Sequence, residues 1–508
     1  MTQFANAVSQ ETRKTFTENG ATAYNSTNNP LLDLFSCIGS MRGSDANTIE
    51  TMLAEAYQQD PLQATKCIFY TRDIRGERVG KGERKTFRIM LRYMADHHPE
   101  AIIPNIPLIP IYGRFDDLYE LLDTKCEDHM LAYMKQQLKQ DIQNMKWNKR
   151  HPDKPKKPVS LLCKWVKSIH TTSTESMQIA KRTLKRLGFY TEKSYRKTLE
   201  ELRRHINLLE RLMSDNQWDN INYEHIPSQA MKLYKGAFSK HSVERFQKYK
   251  EAVAKGEAVI HTDTLFPYDI VAPYIDHASK IDHELLELQW KNLPDFIGHD
   301  INALVVCDVS GSMFQPVNGV PNLPGKAAIG LALYFAEHNT GAFHNLFMTF
   351  SDASEFVKVK GETLRQKIKS IASANWGWST NLEAAFSRIL QLALDEHLPQ
   401  DEMPKSLIVI SDMQINEASN PDEWNFHKDM AQMFKDNGYE LPLVIYWNVN
   451  AKTPTMLTDD PNRDGVQLIS GLNAKTFAEL IDNAGLSATD LMDKCLNNPR
   501  YDAIRIEK

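Results

Sequence analysis

The chain has 508 residues, of which 42% are hydrophobic and 25% charged, and carries a net charge of −5. That length exceeds what one core usually organises and implies two or more domains. No apolar run reaches the roughly 18–20 residues needed to cross a bilayer, and the first residues, "MTQFANAVSQETRKTF", lack a charged-then-apolar leader. The six cysteines, Cys37, Cys67, Cys126, Cys163, Cys307 and Cys495, are spread without a CxxC pair, which argues against zinc and disulfide modules. A reducing cytoplasm, with no membrane association, is the expected setting.

In chain order, residues 1–30 are polar and weakly patterned and read as a loosely held arm. Residues 31–295 read as helices joined by short turns. "GERKTFRIMLRYMADHH" (82–98) puts Phe87, Leu91 and Met94 at helical spacing. "KSYRKTLEELRRHINLLERLM" (193–213) puts Leu199, Leu202, Ile206, Leu209 and Leu212 on one stripe, and 242–256 ends at Gly256, a natural stop. The prolines of "NKRHPDKPKKP" (148–158) make it a basic surface loop. Many amphipathic helices without a strict repeat suit an irregular, HEAT-like α-solenoid.

After about Pro294 the rhythm becomes alternating strands and helices. The expected strands are 302–307, 344–350, 406–411 and 441–447, with helices near 324–338, 381–395 and 422–436. Such alternation predicts a doubly wound, mostly parallel sheet over 296–508, with ligands beyond the carboxyl ends of its strands. Charge divides in the same way. From 296 onward about 27 acidic residues stand against 17 basic ones, whereas 135–211 carries a basic surplus of about 13. Opposite signs imply different partners, although lysine-rich helix faces can also be merely solvated.

Two strand ends carry the chemistry. "VCDVSGSM" (306–313) places Asp308, Ser310 and Ser312 at alternate positions after an apolar run, and "SLIVISDMQ" (406–414) places Asp412 after another. Two acids at neighbouring strand ends repel unless a cation lies between them. The serines add neutral oxygens, and a hard cation such as Mg2+ (or Mn2+ or Ca2+) takes about six oxygens. "GWSTNLEAAF" (377–386) offers Thr380 just before a helix. The other reading is an N-capping acid among loop serines. "GVPNLPGKA" (319–327) misses a phosphate-binding loop by its glycine spacing and by Ala327, and no other catalytic pattern appears, so an enzyme is not expected.

Asp-x-Ser-x-Ser with a later Thr and a later strand-end Asp resembles the metal-ion-dependent adhesion site of von Willebrand factor A (vWA) domains. The resemblance implies Asp308, Ser310, Ser312, Thr380 and Asp412 as the metal ligands. It also implies a partner protein whose carboxylate takes the remaining position. "DMQIN" departs from the Asp-Gly often found there. Upstream, "YTRDIRGERVGKGERKTFR" (70–88) and "PLIPIYGRFDDLYELL" (107–122) resemble the TROVE module of the Ro ribonucleoprotein family, which joins helical repeats to a vWA domain. The inserted "ERV" and Phe115 in place of Trp are departures. Residues 226–271 look closer to an uncharacterised relative that also carries a vWA-like domain.

The Ro resemblance implies binding of small or misfolded noncoding RNA. Candidate phosphate contacts are Arg72, Arg75, Arg78, Lys81, Arg84 and Lys85, with a second group of Lys164, Lys167, Lys181, Arg182, Lys185 and Arg186 around Trp165 and His170. Arg75 and Arg114 can equally brace helix ends against Asp73, Asp116 or Asp117, and Trp165 can equally belong to a core. Two functions follow: an RNA-binding ribonucleoprotein component with a metal-dependent dock, or a protein-interaction scaffold in which the metal site binds without RNA.

Overall fold

A computed structural model describes residues 12–507 except 76–79, 298–301, 351–352, 373, 375–379, 417–425, 451–454, 459, 461, 464 and 477–485. A helical N-terminal region is followed by a mostly parallel six-stranded sheet. By contacts the chain divides into two compact units, residues 1–87 with 262–502, and residues 88–261 with 503–508. The change of rhythm near 296 is thus the change from helix to strand. The unit that holds the sheet also takes in helices from before that point.

Two short strands, β1 (Lys14–Phe16) and β2 (Thr22–Tyr24), form an antiparallel hairpin in this first unit. The six-stranded sheet follows: β3 (Ala303–Cys307), β4 (Leu346–Thr349), β5 (Phe356–Lys358), β6 (Ser406–Ser411), β7 (Leu443–Asn448) and β8 (Val466–Ser470). Their order across the sheet is β5-β4-β3-β6-β7-β8, parallel throughout except where β5 runs against β4. β3 and β6 are buried along their whole length, which is why they read as unbroken apolar runs rather than as alternation.

Both faces of the sheet are covered. Leu304, Val306, Leu407, Val409 and Val444 share one core with Phe386 and Ile389 of helix Leu382–Asp395 and with Met430 and Phe434 of helix Phe426–Asp436. On the other face Trp447 meets Phe335 of helix Leu323–His338, with ring centres 5.6 Å apart. Truncating any of these fully buried side chains to alanine removes about 2–5 kcal/mol.

Of the segment expected to be a loose arm, residues 1–11 lie outside the described residues and residues 12–30 are pinned. Ala21 and Ala23 are buried, and Tyr24 and Met456 exchange both backbone hydrogen bonds, at 2.8 and 2.9 Å. Helix Pro30–Cys37 then comes so close to β8 that a Cβ on Gly39 would lie 2.3 Å from the Ser470 carbonyl oxygen. Only glycine allows that approach.

The second unit is helical. Its longest helix, Glu127–Arg150, runs three residues into the segment expected as a basic loop. The rest of that segment is tied back to the helix. The Asn148 side chain accepts from the Lys157 backbone N–H at 2.7 Å and donates to the Lys157 carbonyl at 2.9 Å. The stripe expected as one helix over 193–213 is two, Glu192–His205 and Leu209–Ser214. Asn207 separates them in the left-handed region (φ 49°), and Leu208 N–H reaches back to the Arg203 carbonyl at 3.1 Å. That is a Schellman-type stop, and asparagine adopts it more readily than other side-chain-bearing residues. Helix Val243–Ala254 ends at Gly256 (φ 75°), as its sequence predicts.

Candidate metal centre

Asp308 and Asp412 each follow the last residue of a strand, β3 and β6, which are hydrogen-bonded neighbours in register Cys307 to Ile410. The Asp308 N–H extends that ladder to the Ile410 carbonyl at 2.9 Å. The chain leaves β3 for β4 on one side and later returns to β6 on the other. The two acids therefore stand where the strand order reverses, the place at which open α/β sheets form a crevice.

The loop after β3 folds onto Asp308. Ser310 N–H donates to Asp308 Oδ1 at 2.8 Å, and the Ser310 and Ser312 hydroxyls lie 3.1 Å apart. Ser411 Oγ donates to Asp308 Oδ2 at 2.5 Å and accepts from Met413 N–H at 2.9 Å. Asp308 is fully buried and Ser310 nearly so, whereas Ser312 is half-buried and Gly311 exposed, so the cluster opens toward solvent on the serine side. Burial, and then the negative charge of Asp412, push the Asp308 carboxyl up to about 7 against the opposing pull of Ser411 and Ser310. The folded chain thus holds two mutually repelling acids side by side, each oxygen of Asp308 keeping a lone pair to spare.

Thr380, 1% exposed, reaches the loop that follows Asp412. Its hydroxyl lies 2.7 Å from the Gln414 carbonyl and 2.8 Å from Asn416 Oδ1, and accepts from Asn19 Nδ2 at 3.2 Å. The Asn416 N–H donates to the Thr380 carbonyl at 3.0 Å, and Asp412 Oδ1 accepts from Gln414 N–H at 3.2 Å. Hydrogen bonds thus join Asp308, Ser310 and Ser312 directly. Asp412 acts on Asp308 through its charge, and Thr380 is tied to the Asp412 loop. Among the described residues no three His, Cys, Asp or Glu side chains come together as a metal cluster. The donors here are two carboxylates and several hydroxyls, all hard oxygens, which fit Mg2+, Mn2+ or Ca2+ and not a soft metal. Ser411, Gln414, Asn416 and Asn19 carry no sequence motif. Only Ser411, beside Asp412 at a strand end, could have been suspected.

The basic candidates fare unevenly. Arg72 and Lys81 are buried, at 6% and 2% exposure, and so do not face a phosphate chain. The Lys81 ammonium lies 5.7 Å from the Tyr70 ring centre and 5.8 Å from that of Phe35. Arg75, Arg84 and Lys85 are exposed, with Lys85 Nζ on Asn318 Oδ1 at 2.7 Å, while Arg78 lies outside the described residues. Asp73 pairs with Arg500 rather than with Arg75, although it accepts the Arg75 backbone N–H at 3.0 Å. Arg114 braces Asp116 at 2.6 Å and also lies 4.4 Å over the half-buried Trp165 ring. Lys164 pairs with Glu210 at 2.9 Å, and Lys167 sits 4.8 Å over Tyr119. Arg182 and Arg186 pair with Glu127, and Lys181 and Lys185 are exposed.

Two family models match the chain. Residues 17–187 and 133–299 match a domain of unknown function, DUF2828, and residues 302–497 match another, DUF7788. An uncharacterised protein of Acanthamoeba polyphaga mimivirus is 27% identical over 492 residues, covering 91% of this chain and 83% of the viral protein. No described helix is long and apolar enough to cross a membrane.

Proposed function

Since the chain belongs to the DUF2828 family, a domain of unknown function, its activity has to be read from its own residues, and we propose a divalent-cation-dependent docking protein. Asp308, Ser310 and Ser312 hold the cation from the loop after β3, with Asp412 and Thr380 completing the oxygen set. The remaining position takes a carboxylate from a partner protein. The site binds and does not catalyse. The observation that carries this reading is the buried Asp308 beside Asp412, with its carboxyl pushed up by burial and by that second acid. Such a pair is relieved by a cation. The strand order and the helices on both faces agree with the vWA resemblance, and the helical unit is read as HEAT-like.

The test is calorimetric titration of the full chain with Mg2+. Asp308→Ala removes an oxygen ligand and little volume, so binding is lost while the fold persists. Unchanged Mg2+ affinity in that variant would sink the proposal.

RNA binding is a second reading, favoured by one place on the second unit. There the Arg114 guanidinium and the Lys164 ammonium lie 4.4 and 5.5 Å from the ring centre of the half-buried Trp165, within a strongly basic stretch. Cations beside an aromatic face suit stacking on single-stranded bases. The burial of Arg72 and Lys81 removes support from the first basic segment, which is why the docking reading stands first.

A further inference from the structure

We infer that the β1–β2 hairpin is part of the cation site, with Asn19 as a positioning residue that presents Thr380 to the metal. The inference rests on the cation reading of Asp308 and Asp412. Residues 17–20 of the hairpin turn all meet the loop that follows Asp412. Thr17 Oγ1 donates to the Ile415 carbonyl at 2.6 Å, and Glu18 N–H donates to Gln414 Oε1 at 2.7 Å. Asn19 Nδ2 donates to the Gln414 carbonyl at 2.7 Å and to Thr380 Oγ1 at 3.2 Å, and Gly20 forms an antiparallel bridge with Asn416. Ala21, next along, is buried in the same core as β3 and β6, which anchors the turn.

The consequence is local and chemical. The Thr380 hydroxyl has one proton and two lone pairs. Its proton is directed to Gln414 or Asn416, and Asn19 takes one lone pair. One lone pair is left in a fixed direction, which is what a cation ligand needs. Without the Asn19 amide the hydroxyl is free to rotate, and the loop of Gln414 loses a donor that also sets its distance from Thr380. The hairpin, though 361 residues from Thr380 in sequence, therefore tunes the metal's affinity.

A double-mutant cycle on the full chain tests this by Mg2+ and Ca2+ titration of wild type, Asn19→Ala, Thr380→Ala and the double variant. Asn19→Ala should weaken Mg2+ binding about three- to tenfold, the effect of one hydrogen bond. It should weaken Ca2+ less, because Ca2+ tolerates an irregular shell and Mg2+ does not. On the Thr380→Ala background the same substitution should have no further effect, since its route is gone. Melting of Asn19→Ala in chelator should fall only by the small amount that its lost hydrogen bonds account for and stay a single cooperative transition, which separates positioning from general loosening. Unchanged Mg2+ affinity in Asn19→Ala overturns the inference and leaves the cation reading standing, as does a full additional loss on the Thr380→Ala background. If wild type itself takes up neither cation, the cation reading fails and the inference fails with it.

Discussion

At the scale of single residues the chain places an acid where it is least comfortable. A free aspartic acid has a pKa near 3.9, whereas Asp308 is raised to about 7 by burial and by Asp412. The folded protein then binds a proton more tightly than the unfolded chain does. Its stability in chelator should fall as pH rises between about 4 and 7, and level off above that window. On the proposed cation reading Mg2+ takes the proton's place, so it should raise the melting temperature more at pH 8 than at pH 5.5. Asp308→Asn removes the charge at nearly the same volume, keeps an acceptor for Ser310 N–H and can donate to Ser411. It should abolish the Mg2+ effect and flatten the pH dependence, as thermal melts at the two pH values will report. A melting temperature that rises with pH in wild-type protein under chelator would contradict this account. Lys81 makes the opposite point. In sequence it belongs to a dense basic run, and in the fold its ammonium is packed on Tyr70 and Phe35. Charge in a sequence does not say which way a side chain turns.

Among elements, the break at Asn207 shows what apolar spacing cannot carry. The stripe Leu199, Leu202, Ile206, Leu209 and Leu212 fits one helix, yet Asn207 takes a left-handed conformation and starts a second. Asn207→Gly should be tolerated, whereas Asn207→Val, with a branched side chain at positive φ, should cost on the order of 1–2 kcal/mol in chemical denaturation. Equal stability of the two variants would argue against the conformation. The four central strands were legible because each is a buried apolar run between turn residues, and the expected 406–411 coincides with β6. β5 and β8 were not, since "FVK" is three residues at the sheet edge and "VQLIS" carries a buried glutamine. The β1–β2 hairpin was also hidden. "KTF" and "TAY" have no apolar face of their own, and two short strands are not stable alone. What holds them is hydrogen bonding to residues 414–416 and 456, far off in sequence. The nearness of the candidate residues to one another was legible for the same reason as the strands. Asp308, Ser310, Ser312 and Asp412 lie at strand ends, whereas Ser411, Gln414 and Asn19 gain their places only from tertiary structure.

For the whole molecule, all six cysteines are buried and free of disulfides. Burial, the leading cause in each case, pushes Cys37 and Cys67 up to about 12 and Cys126 and Cys163 up to about 11. Thiolate is the reactive form. Native protein at pH 8 should therefore react slowly with an aromatic disulfide reagent, and all six thiols should titrate at once in denaturant. Rapid reaction of several thiols in the native state would show that the unit interiors open readily. The path of the chain has a further consequence, in time rather than in space. Residues 17–20 leave the ribosome about 400 residues before residues 414–416, their partners, exist. At roughly 5–20 residues per second that interval is about 20–80 s. Throughout it the hairpin turn lacks the loop to which it is hydrogen-bonded, while the helices of 88–261 already have their own neighbours to pack against. Synthesis thus runs from one unit through the other and back into the first, and the candidate metal centre comes together only once residues 414–416 have followed the hairpin by about 400 residues.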